Sequence, residues 1–216
     1  MSSSSSQIGR PVGAKSEETR RRILASAMRC VAEVGYSRAT IREIARLAGI
    51  TSGSLYHYFP NKAEIVKAAF TEIADVSLPR LAAAADRTPG VLNQILAVLD
   101  EGGQLLRDNP HAVAFDRALR VESAEHLHLD QDSDMIYMGL RAVIRRIIEQ
   151  SHREGTLTAD ADIDGTTDAI FAIFQGLSDH AATATPEQYR ATSRAIALLI
   201  RGSLFDPAPG AVTFGR

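Results

Sequence analysis

The stretch that decides how this chain is organised runs from Thr40 to Val66, TIREIARLAGITSGSLYHYFPNKAEIV. Thr40-Ile-Arg-Glu43 has the spacing of a capping box, in which a threonine hydroxyl and a glutamate satisfy the first free amides of a helix. The apolar residues Ile41, Ile44, Ala45 and Ala48 then recur at helical intervals until Gly49 stops them. Thr51 to Phe59 is a second segment, ended by Pro60. It opens on four small residues, Thr51, Ser52, Gly53 and Ser54, and closes on Tyr56, His57, Tyr58 and Phe59. Asn61-Lys-Ala-Glu64 repeats the capping spacing and opens a long helix expected to reach about Leu81. Short helices joined by tight turns, with AGIT at the middle junction, form a helix-turn-helix pattern, whose second helix enters the major groove of DNA.

A helix advances about 100° per residue. With Leu55 facing inward, Phe59 lies beside it, Gly53 and His57 point away, Ser54 and Tyr56 flank the outward face, and Tyr58 sits at the border. Small residues at the helix start let a backbone approach closely and leave amides for phosphate. Tyr56, His57 and Tyr58 supply hydroxyl or imidazole donors for phosphates and base edges. Lys62 is a point charge expected beside the next phosphate. Arg42, outward-facing, can contact phosphate or read guanine bidentately. Taken singly, these residues have plainer readings: Tyr58 as half-core, His57 as a surface histidine, Thr40 as a helix cap.

Working outward, Ser16 is expected to cap a first helix with Glu17 and Glu18 in its first turn. Ile23, Ala27, Cys30, Val31 and Val34 form its stripe, and Gly35 ends it. Residues 1–62 hold ten Lys/Arg against four acids, +6, in a chain whose net charge is −2, leaving −8 for the remainder. That asymmetry points to a polyanion for the N-terminal part alone. Arg10 lies on a basic arm of the kind that reaches into a minor groove.

Past residue 85, Thr88-Pro89, Asn109-Pro110 and Thr185-Pro-Glu-Gln188 each offer an N-cap followed by proline at the first helical position. Helices are expected over about 132–153, closed by Gly155, over about 163–182, and over 186–204. No strand alternation occurs. The fold class is therefore all-α, with about nine helices, a flexible N-terminal arm at 1–15, a helix-turn-helix domain at 16–62, a second helical domain at 63–206 and a tail at 207–216.

A single cysteine, Cys30, permits no internal disulfide. Ala169 to Phe174, an apolar run as long as any in the chain, is too short to span a bilayer, and residues 1–15 lack the apolar core of a secretory signal. A cytoplasmic protein without a membrane partner is expected. No phosphate-binding glycine loop or serine elbow is present, and no catalytic residue, metal or cofactor is expected. The rival enzyme reading takes Glu125-x-x-His128 and Glu149-x-x-His152 as di-iron ligands with Glu72 and Glu101. Chance explains both pairs in a chain with 12 glutamates and 6 histidines. Asp130 to Asp134 has the look of a calcium loop, but Met135 stands at the glycine position and Arg141 at the terminal glutamate position.

The Thr40–Val66 stretch closely resembles the DNA-binding signature of TetR-family transcriptional regulators, specifically over about residues 16–66 and including LYHYF followed by Asn-Lys. The resemblance implies DNA contacts through Arg42, Ser52, Gly53, Ser54, Tyr56, His57, Tyr58 and Lys62, with Thr51 opening the same element. Ser54 stands where threonine is frequent. It also implies that residues 63–206 bind an effector and dimerise through the last two helices. Asp168–Leu177 (DAIFAIFQGL) is apolar nearly all round, and the candidate dimer residues are Ile170, Ile173, Leu177, Ile196, Leu199, Ile200 and Ser203. Candidate pocket residues are Leu105, Phe115, Leu119, Tyr137, Leu140, Ile144, Phe171 and Phe174, a lining that suits a small, largely hydrophobic effector. Polar anchors could come from His111, His126, Asp179 and His180. Family members are mostly repressors that bind palindromic double-stranded DNA as homodimers and are released by the effector. A regulator that binds DNA without a small-molecule effector stays open as the alternative.

Overall fold

A computed structural model describes residues 12–126, 130–158 and 160–202, with side chains for 14–120, 135–158 and 160–202. Among the described residues there are nine helices and no strand. They are α1 (Val12–Val34), α2 (Ile41–Leu47), α3 (Ser52–Tyr56), α4 (Lys62–Asp86), α5 (Val91–Asp108), α6 (Ala112–His126), α7 (Asp130–Arg153), α8 (Ile163–Ala181) and α9 (Pro186–Ile200). The chain divides into two compact units. The first takes residues up to Ile73 and returns for Ala114–Ser133; the second takes Ala74–Val113 and Asp134 onward.

In the first unit, α1 presents Ile23, Ala27 and Val31 fully buried, and α2 adds Ile44 and Ala45. Phe70 of α4 and Phe115 of α6 close this core, ring centroids 5.0 Å apart. Such tilted aromatic pairs hold beyond the area they bury. The expected cap at Ser16 is not made, because α1 begins at Val12 and Ser16 lies within it. Thr40 does cap α2, its Oγ1 accepting the Glu43 amide at 3.2 Å. The reciprocal half of the expected box is absent: the Glu43 carboxylate turns to Arg46 instead. Gly49, at φ +67, completes the α2 terminus, with its amide on the Arg46 carbonyl and the Ile50 amide on that of Ala45. That pair of bonds satisfies two otherwise orphaned carbonyls and needs the left-handed conformation glycine adopts freely.

In the second unit, the core is built from Ile95, Val98 and Leu99 of α5, Ile144, Ile147 and Ile148 of α7, and Phe174 and Leu177 of α8. α4 runs to Asp86 through an internal Pro79, five residues past the expected end. Two expected caps are overturned here. Thr88 donates its hydroxyl back to the Ala84 carbonyl at 2.9 Å, and α5 starts after Gly90 instead. Asn109 serves as the C-cap of α5, and α6 starts at Ala112. Thr185-Pro-Glu-Gln188 forms the full capping box of α9. Arginines tie the helices together: Arg80 to Glu101 and Asp108 at 2.6 and 2.7 Å, Arg141 to Asp168 at 2.8 Å, and Arg145 to Asp164. α9 packs against α8 and α5, where the Tyr189 ring lies over Gly103.

α4 and α7 approach each other closely in this unit. A methyl group at Gly139 would stand 2.3 and 2.6 Å from the two terminal carbons of Leu78 and 3.0 Å from its Cγ. No rotation about the last bond clears it. Overpacking of this kind costs about 1–3 kcal/mol, against a gain of up to about 1 kcal/mol for replacing a helical glycine. Denaturant unfolding is expected to show Gly139→Ala destabilised by about 1 kcal/mol. Gly102→Ala, where an added methyl meets no atom within 4 Å, should be neutral or stabilised.

Candidate nucleic-acid interface

α3 is shorter than Thr51–Phe59. Its helix spans Ser52–Tyr56, with Thr51 as N-cap and His57 as C-cap, and Tyr58 and Phe59 continue as a turn bonded back to the Leu55 carbonyl. The Thr51 Oγ1 accepts the Ser54 amide at 3.1 Å and lies 2.9 Å from the Ser54 Oγ. One amide that the sequence left for phosphate is thereby used within the helix, and the Thr51 and Ser54 hydroxyls are partnered with each other.

The outward and inward faces fall as the 100° rotation requires. Leu55 is 0% exposed and Phe59 5%, while Tyr56 is 55% exposed. Gly53 and His57 are exposed, and Ser52, Ser54 and Tyr58 half-buried. Arg42 is exposed at the second position of α2. Arg46, one turn on, is bidentate to Glu43 at 3.0 and 2.6 Å. The Glu43 carboxyl is held below its ordinary pKa by that bond, and the Arg46 guanidinium is held above its own.

Lys62 stands apart from its expected place. Its ammonium is not simply turned to solvent: Nζ donates to the Tyr36 and Ala39 carbonyls at 2.6 and 2.9 Å and lies 4.0 Å from the Tyr36 ring centre. Two further side chains pack against these residues without that having been legible in the sequence. Tyr36 supplies that ring from 26 residues away. Arg20 of α1 stacks over the Phe59 ring at 5.5 Å and reaches Glu72 at 3.7 Å, with Arg21 also 3.7 Å from Glu72. Cys30 is buried behind α2, and burial raises its thiol pKa, keeping it protonated.

Six of the eight residues assigned to an effector pocket lie in the second unit. Leu105, Ile144 and Phe174 are buried in its core; Leu140 and Phe171 are half-buried against it, and Tyr137 meets Phe171 edge-on at 6.3 Å. Phe115 and Leu119 are buried in the first unit, at 0% and 1%. Among the polar candidates, His111 and Asp179 are exposed, and the His180 Nε2 lies 3.1 Å from the Thr192 hydroxyl. Of the dimer residues, Leu177 is buried, Ile170, Ile173, Ile196 and Ile200 are half-buried, and Leu199 is 50% exposed. Arg10, Ser203, and the side chains of Glu125, His126, His128 and Asp130 to Asp134 lie outside the described residues. The carboxylates that a di-iron site would recruit are engaged by arginine: Glu72 by Arg20 and Arg21, Glu101 by Arg80, Glu149 by Arg145.

Comparison with known proteins gives this geometry a context. Residues 23–69 match the family model for bacterial regulatory proteins of the tetR family. The HTH-type transcriptional repressor Rv1474c of Mycobacterium tuberculosis is 35% identical over 115 residues, 52% of this chain and 53% of that protein, so the match spans about half its length. The HTH-type transcriptional regulator TtgR of Pseudomonas putida is 27% identical over 176 residues, 76% of this chain and 80% of that protein. The fold is that of the transcriptional regulator FadR of Bacillus subtilis, solved in complex with stearoyl-CoA. The TM-score is 0.74 at 20% identity, over 86% of this chain and 99% of that one. Residues 23–69 thus carry a domain of the tetR-family type, and the relatives that match over more of the chain are HTH-type transcriptional regulators.

Proposed function

We propose that this regulator is a repressor that binds a palindromic operator as a homodimer and is released by a small, largely hydrophobic effector. The observation that carries the DNA half is the division of α3: Leu55 wholly buried, with Tyr56, Gly53 and His57 turned outward. In this reading Thr51, Ser52, Gly53, Ser54, Tyr56, His57 and Tyr58 enter the major groove. Arg42 approaches from the start of α2, and residues 16–62 act as the reading head. Phosphate contacts fix the register, and base-edge contacts select the sequence.

One head makes few contacts, and two related by symmetry read half-sites about one DNA turn, ~34–36 Å, apart. α8 and α9 are the pairing surface in this reading. α9 has no buried residue within its own chain and keeps Leu199 half exposed. Leu105, Tyr137, Leu140, Ile144, Phe171 and Phe174, all of the second unit, are the proposed effector lining. An apolar lining suits a ligand with a long hydrocarbon part, such as the stearoyl-CoA carried by the Bacillus subtilis FadR structure. The coupling between effector and DNA is reciprocal and about 1–3 kcal/mol. The setting is the cytoplasm, and among the described residues no helix is long and apolar enough to cross a membrane.

Selection of bound duplexes from a random pool, at fixed salt because affinity depends on it, tests the reading directly. An inverted repeat is expected; a pool that stays random after repeated rounds would sink it. On the selected duplex, Arg42→Ala is expected to cost about 1–3 kcal/mol and to relax the preference at one base pair. Equal losses on every duplex would make Arg42 a backbone contact. Tyr56→Phe should weaken all duplexes alike. Leu199→Glu, which sets a charge on the pairing surface, should shift the sedimenting species from dimer to monomer while leaving the helical content intact.

A further inference from the structure

The ammonium of Lys62 is committed inside the protein. It begins α4, where the positive end of the helix dipole disfavours a cation, so its position needs a local source of negative potential. Two backbone carbonyls supply it. Tyr36 and Ala39, in the turn between α1 and α2, accept from Nζ at 2.6 and 2.9 Å. The Tyr36 ring lies beneath the same nitrogen at 4.0 Å, within the range where a cation is attracted to an aromatic face. Ala39 is itself buried and immediately precedes Thr40, the residue that caps α2.

The connection therefore runs between two turns. One leads into α2 and Arg42; the other leads out of α3 into α4. The helix-turn-helix lies between them in sequence, and Lys62 closes the loop around it across 23 and 26 residues. The Tyr36 carbonyl also accepts the Ala39 amide at 3.2 Å within the turn, and Lys62 adds to both carbonyls a charged donor, whose hydrogen bond is stronger than a neutral one.

We propose that Lys62 is a positioning residue, clamping the α1–α2 turn to the start of α4 and so fixing the angle of α2 and α3, and that it is not a phosphate contact. The proposal rests on the DNA-binding reading, and its test separates the two. Lys62→Met keeps the apolar stem and removes the charge and donors. In the full chain without DNA, its melting temperature should fall by roughly 5 °C. On the duplex selected by the unmodified chain, affinity should fall about tenfold, while the slope of log affinity against log salt stays unchanged. Tyr36→Leu should weaken binding in the same direction, and the double variant should lose less than the sum of the two. A salt slope less steep by about 0.9, the signature of one lost phosphate contact, would overturn the proposal, as would unchanged melting or unchanged affinity. Should the unmodified chain select no duplex, the DNA-binding reading fails, and the melting and double-variant arms still decide whether the clamp exists.

Discussion

Everything the reading head offers depends on the burial of Leu55. α3 has five residues, Ser52–Tyr56, and helices so short do not persist in water, because nucleation fixes several residues for few bonds. α3 exists because a wholly buried leucine and the buried ring of Phe59 anchor it to α1 and α2. Burying a leucine contributes about 1.5–3 kcal/mol, and only together with the Phe59 ring does it offset a nucleation cost of roughly 4 kcal/mol. The exposed groups of Gly53, Tyr56 and His57 are then held on a rigid platform.

The same head uses charge economically. Of the arginines and lysines that make residues 1–62 basic, several are engaged within the fold: Arg46 with Glu43, Arg29 with Glu33, Arg20 with Phe59 and Glu72, Lys62 with two carbonyls. Surface pairs such as Arg29–Glu33 contribute little to stability. They do lower the field that the formal charge suggests.

Local signals were legible in the sequence and long-range ones were not. The caps at Thr40, Asn61 and Thr185, the stop at Gly49 and the inward turn of Leu55 and Phe59 all follow from spacing, because the groups that satisfy one another lie within five residues. Thr88-Pro89 and Asn109-Pro110 misled because both chains of atoms were already serving the ends of the preceding helices. Glu43 was read as half of a capping box and prefers Arg46, a competition that spacing alone does not rank. The partnership of Lys62 with Tyr36, and that of Arg20 with Phe59, join residues 26 and 39 positions apart; no periodicity encodes such a meeting. Phe115 and Leu119 were named with Ile144 and Phe174 as candidate lining of one pocket, and tertiary packing assigns them to a different unit.

Cys30 gives the head an internal clock. It is the chain's one thiol and is 2% exposed. Only the thiolate reacts readily, so a labelling reagent must wait for α1 and α2 to part. The rate of its modification thus reports how often this small core opens, on a timescale that crystallographic displacement does not see. Ligands that hold the head shut would slow that rate without touching the sulfur.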